Sequence, residues 1–96
     1  MSAYVLSPAA RVDLDAIWNH GEAQWGALRA ERYIREIQRA VETVAKDPRR
    51  GRPCDDVREG YFKFSVGSHI LFYRCDGALI DVVRILHQRM DFDRHL

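Results

Sequence analysis

Between Arg84 and Asp91 the chain reads Arg-Ile-Leu-His-Gln-Arg-Met-Asp, so two guanidinium groups, an imidazole and an amide follow directly on an apolar stretch. Side chains at the end of a strand are held rigidly and stay partly exposed, which suits binding or catalysis. His87 can act as a general acid or base, while Arg84 and Arg74 can stabilise a phosphoryl oxyanion. The competing role for His87 is a hydrogen bond to a carbonyl that caps the sheet. Two charges interrupt the apolar stretch itself, Asp81 and Arg84, and a charge there is costly unless it is paired or solvated. Asp81 is expected to pair with Arg74 or Arg84 across strands. If helices cover one face of the sheet, Arg84 should project from the other, open face.

The remaining reactive types are dispersed. His20, His69 and His95 fall on a helix, a strand start and the terminus, so no metal site is expected. Cys54 and Cys75 show no C-x-x-C spacing and no nearby His pair for zinc, and they read as reduced structural thiols, Cys75 lying inside an apolar run. All but Lys46 and Lys63 of the 15 basic residues are Arg, whose planar fork suits carboxylate or phosphate better than an ammonium does. With 14 acidic residues the net charge is only +1, which argues against a polyanion binder defined by bulk charge.

The elements that must position these groups can be read along the chain. Ala3-Tyr4-Val5-Leu6 is a short strand, Ser7 a helix N-cap and Pro8 a first helical residue. Leu14, Ile17, Trp18, Gly21 and Trp25 then form one helical stripe, with Asp13 and Asp15 near the positive end of the dipole. Gly26 breaks this helix. Ala30, Ile34, Ile37, Val41 and Val44 mark a second, which Pro48 ends, so the two form a helical hairpin. Both stripes run the length of their helices and leave no short polar recognition helix for a DNA groove.

Residues 47–53 carry turn formers and three Arg and read as an exposed loop. Tyr61–Val66 alternates, with Phe62, Phe64 and Val66 on one face; Gly67-Ser68 is a turn; and His69–Cys75 is a second strand. Asp76-Gly77 is a hairpin signal. The last strand, Ala78–Leu86, is apolar on both faces, with Leu79, Val83 and Ile85 on one and Ile80, Val82 and Leu86 on the other, as suits an interior strand. The expected architecture is α+β in the order β-α-α-β-β-β: a helical hairpin packed on one face of a small, mainly antiparallel sheet.

At 96 residues this is one domain, 1–96, with a modest core. No stretch of 18 apolar residues supports a membrane span, and Arg11 and Asp13 interrupt what a signal peptide would need. With its thiols reduced, the protein is expected in the cytoplasm.

Several segments carry a family resemblance. Tyr4-Val5-Leu6-Ser7-Pro8-Ala9-Ala10, Asp13-Leu14 with Ile17-Trp18, Trp25-Gly26, Gly67-Ser68-His69 with Leu71-Phe72-Tyr73-Arg74, and Val83 to Asp91 together resemble the ParE toxins. These are a branch of the RelE/ParE superfamily of bacterial type II toxin–antitoxin systems. The resemblance spans nearly the whole chain, and Arg84-Ile85-Leu86-His87-Gln88 is its most specific part.

It implies the same fold and a toxin that blocks DNA gyrase, traps cleaved DNA and needs no cofactor. It also implies a ParD-like antitoxin as partner in a hetero-oligomer, with operator DNA met only indirectly through the antitoxin, and no membrane role. Arg84, His87, Gln88 and Arg89 are then expected at the gyrase-directed end of the sheet, supported by Arg58, Lys63 and Arg74. Trp25, Tyr33 and Ile37 are expected antitoxin contacts where they are not fully buried. The alternative within the superfamily is a RelE-like ribosome-dependent mRNA endonuclease, for which Lys63, Arg74, Arg84 and His87 would be the catalytic set. An inactive relic or purely regulatory binding module is a third reading.

Overall fold

In the computed structural model, which describes residues 3–96, Ser7 sets the first boundary of the fold. Its hydroxyl accepts the Ala10 N–H at 3.0 Å and donates to the Val83 carbonyl at 2.6 Å, while Pro8 occupies the first turn. One residue therefore ends strand β1 (Ala3–Leu6), caps helix α1 (Pro8–Trp25) and ties both to the sheet. Gly26, at φ 87°, separates α1 from helix α2 (Ala27–Lys46) by a single residue. Gly21 is buried against Ala30 and the Trp25 ring, so the two helices pack closely at this end.

Strand β2 (Arg52–Pro53) follows a 3₁₀ turn at Pro48–Arg50, then come β3 (Tyr61–Val66), β4 (His69–Asp76) and β5 (Leu79–His87), and a final turn of helix, α3 (Phe92–His95). The sheet order is β1-β5-β4-β3-β2, with β1 parallel to β5 and the other neighbours antiparallel. β5 is interior, as its two apolar faces require. Residues 47–53, expected as a loop, instead include an edge strand, Arg52 facing Lys63 and Pro53 facing Phe62.

The expected faces of β5 need correction. Phe72 faces Arg84 but Tyr73 faces Val82, so Val83 is an extra residue in a bulge. The bulge puts Ile85 on the same face as Ile80 and Val82, where these residues meet Ala10, Ile37, Val41, Val44, Leu71 and Tyr73 in the core beneath the helices. The opposite face is not open. Cys54, Phe72 and Leu86 form a second buried cluster, with Phe92 and Leu96 of the C-terminal segment packed against it. Truncating a buried aromatic such as Phe72 would cost about 3–5 kcal/mol. Of the two thiols, Cys54 is buried, but Cys75 is exposed near the end of β4.

Candidate functional site

The end of the sheet nearest the helical turn is organised by aromatic and imidazole rings. His69 and His87 are register partners on β4 and β5, with ring centroids 5.3 Å apart and planes nearly perpendicular. Tyr33, from α2, brings its hydroxyl to 2.6 Å from His69 Nδ1 and accepts the Ser68 N–H at 3.1 Å. Gly67 makes this possible twice over: its φ of 57° forms the β3–β4 turn, and a Cβ there would stand 2.5 Å from the Tyr33 ring. His87 Nδ1 accepts the Arg89 N–H at 3.1 Å, so the neutral ring carries its proton on Nε2. The carbonyl bond expected of His87 is not among the described hydrogen bonds, and its ring accepts a backbone N–H instead.

Burial holds the His69 pKa below its ordinary value, the neighbouring His87 adds to this, and Asp13 opposes it. These groups line a cleft of about 430 Å³, together with His20, Trp25 and Met90. Its walls are mainly apolar with a few convergent polar groups, the usual make-up of a binding cleft. Trp25 meets Tyr33 edge to face at 6.0 Å and carries the Arg29 guanidinium over its ring at 5.4 Å. Among the described residues, no group of three or more His, Cys, Asp or Glu side chains is placed to hold a metal ion.

Arg84 does not project freely, which corrects the expectation for it. Its Nε and Nη2 donate to the two oxygens of Asp13 at 2.8 and 2.7 Å, and Nη1 donates to the His95 carbonyl at 2.9 Å. The charge-assisted bonds to Asp13 raise its pKa. Asp13 also accepts the Ile85 N–H at 2.9 Å. β1 ends opposite Val82, and beyond that point α1 supplies with Asp13 the acceptor that a neighbouring strand would otherwise provide. By sequence alone Asp13 reads only as a favourable charge for the helix dipole. Its spacing from Ala10 and Ile17, at i+3 and i−4, was the available signal that it shares their inward face.

The other expected contacts are spread over the sheet. Arg74 pairs with Asp81 at 3.3 Å, as one of the two anticipated pairings, at the end of β4 away from His69. Five residue steps along the strand separate them, or about 17 Å. Arg58 donates to the Leu96 carbonyl. Gln88 and Arg89 are exposed just after β5.

Lys63, Arg74 and Arg84 share the sheet face of Phe72, the first and third through direct register and the second at i+2. His87 lies on the opposite face, towards Tyr33 and the cleft. The four residues of the expected endonuclease set therefore do not converge. Of the three expected antitoxin contacts, Trp25 is 43% exposed and Tyr33 is half-buried, whereas Ile37 is only 1% exposed and belongs to the core. Ile37 sits on the face of α2 pointing straight at the sheet, so it does not offer the expected antitoxin contact.

Residues 4–92 match the family described as ParE toxin of type II toxin-antitoxin system, parDE. Toxin ParE1 of Mycobacterium tuberculosis is 55% identical, over 99% of this chain and 98% of its own length. Toxin ParE1 of Caulobacter vibrioides is 42% identical, over 100% and 99%. A solved structure titled as the chromosomal ParDE toxin–antitoxin system from P. aeruginosa matches with a TM-score of 0.80 over 91% of this chain and 96% of that one. At 23% identity that likeness concerns the fold. With the family matched over nearly the whole chain and the fold in agreement, the chain belongs to the ParE toxins of type II toxin–antitoxin systems.

Proposed function

We propose that this toxin acts by binding and not by its own bond chemistry: it inhibits DNA gyrase in the cytoplasm and is neutralised by a ParD-like antitoxin. The observation that carries this reading is the separation of His87 from the sheet cations. A phosphodiester cleaved by Lys63, Arg74, Arg84 and His87 would need an acid or base within hydrogen-bond reach of the phosphate those cations hold. His87 faces the cleft on the other side of the sheet, and Arg84 and Arg74 are already engaged by Asp13 and Asp81. The endonuclease alternative is weakened to the same degree.

Within this reading Gln88 and Arg89, exposed beside His87, are the target-directed group, and Arg84 acts by holding α1 and the C-terminal segment onto β5. Trp25, Leu28 and Met90 expose apolar surface at or near the cleft, to the extents of 43%, 65% and 45%. A flexible antitoxin tail that folds on binding would cover that surface in a toxin–antitoxin hetero-oligomer, meeting Trp25 and Tyr33, and operator DNA would be reached through the antitoxin. The test is gyrase supercoiling with the purified toxin, with and without its antitoxin. Inhibition that the antitoxin reverses is the expected result, and full supercoiling at saturating toxin would refute the proposal.

A further inference from the structure

Arg52 and Lys63 stand directly opposite each other in the β2–β3 ladder. Like charges in a cross-strand pair repel and destabilise the sheet unless something neutralises them. Arg50, at the end of the 3₁₀ turn, lines the same groove of about 500 Å³, which Phe64, Ser65 and Ile70 complete. Among the described residues, no carboxylate oxygen comes within 4.0 Å of Arg50, Arg52 or Lys63. Arg74 and Arg84, by contrast, each hold an aspartate.

The cluster is also held in place. Tyr73, fully buried, donates to the Pro48 carbonyl at 2.6 Å and pins the 3₁₀ turn to the sheet. Gly51 is buried between Arg50 and Arg52, so near the Tyr73 hydroxyl and the Lys63 carbonyl that any side chain there would collide with both. Two arginines thus flank a residue packed against buried groups, and their backbone does not need ordering when an anion arrives.

We infer that this groove binds the phosphodiester backbone of DNA. Arginine forks match phosphate oxygens in pairs, Lys63 adds a point charge, and the Ser65 hydroxyl is a further donor. Single-stranded RNA is gripped by aromatic platforms set beside positive charge. Tyr61 and Phe92 are instead packed on the Cys54–Phe72–Leu86 cluster, and Phe64, which lines the groove, is packed against the main core. The inference deepens the gyrase reading and rests on it, because a toxin seated on an enzyme that carries a DNA duplex has phosphates within reach.

The experiment is fluorescence anisotropy of a short labelled duplex with the full-length toxin alone, so gyrase inhibition can be scored separately and either result can fail without the other. Three phosphate contacts give a log–log salt slope of about −2 to −3 between about 50 and 200 mM salt. The double substitution Arg52→Ala and Lys63→Ala should weaken binding at least tenfold and make the slope shallower by about 2. Arg52→Gln, which relieves the repulsion while keeping length, serves as the folded control and should weaken binding without lowering the melting temperature. No binding at the lowest salt, binding indifferent to the double substitution, or clear preference for single-stranded RNA of the same length would each overturn the inference.

Discussion

Asp13 and Arg84, 71 residues apart in sequence, form a two-point ion pair in which both carboxylate oxygens are engaged and one also accepts the Ile85 N–H. The pair closes the part of the β5 edge that β1 leaves uncovered and links α1 to the C-terminal segment through the His95 carbonyl. A residue that first reads as a reactive guanidinium therefore acts as a structural clamp.

Removing either partner leaves the other charge largely out of water without a counterpart. Arg84→Ala and Asp13→Ala should each cost about 2–4 kcal/mol in urea unfolding, and the double substitution should cost less than the sum. Additive losses would show that the two groups do not interact.

At Gly67 a side chain would be strained by the positive φ and would collide with Tyr33. Gly67→Ala should lower stability by about 1–3 kcal/mol. It should also displace the Tyr33 ring, seen as a change in the near-ultraviolet circular dichroism. Tyr33→Phe, which keeps the ring and loses the bond to His69, should cost only about 1 kcal/mol.

Because the folded state holds the His69 pKa down, the unfolded chain takes up this proton more readily. Stability is therefore fully present above the ordinary histidine pKa of about 6.5 and falls as pH drops below it. Urea midpoints at pH 7.5 and 5.5 should show this drop, and His69→Gln should reduce it. An equal drop in the variant would place the effect elsewhere.

At the alkaline end Tyr73 behaves in the opposite sense. Burial pushes its phenol up to about 12, so between its ordinary pKa of 10 and that value the folded state keeps a proton that the unfolded state has lost. Stability falls as pH rises through this window, by up to about 3 kcal/mol. Tyr73→Phe should cost about 1 kcal/mol at pH 7 from the lost bond to Pro48 and then show a flatter alkaline decline.

Trp25 and Ile37 should separate cleanly. Trp25→Ala, at an exposed aromatic, should weaken antitoxin binding by at least about 2 kcal/mol with little change in the toxin's own melting temperature. Ile37→Ala should destabilise the toxin by about 2–5 kcal/mol, because it empties part of the core.

What the sequence displays is what is settled locally. Ser7-Pro8, Gly26 and Pro48 bound the helices through capping and backbone restriction, and the alternation in Tyr61–Val66 marks a strand, so β1, the hairpin and the three long strands could be read with nearly correct ends. The bulge at Val83 could not, since it is a register mismatch between two strands and leaves no mark in residue type. The same holds for β2, whose two residues are too few to show a period, and for α3, a single turn capped by Asp91. The candidate site was legible as a set of residue types but not as an arrangement. Arg84 and His87 are three residues apart on one strand, yet the odd spacing puts them on opposite faces, and the Arg84 partner came from a helix far away in sequence. Ile37 looked available only until the sheet was in place beneath it.

The central claim, inhibition of gyrase by binding, is tested most directly by giving one preparation of purified toxin to two reactions: gyrase on relaxed plasmid, and a translating ribosome on mRNA. Loss of supercoiling with accumulation of cleaved DNA is expected in the first and intact message in the second. Normal supercoiling together with message cut on the ribosome would contradict it.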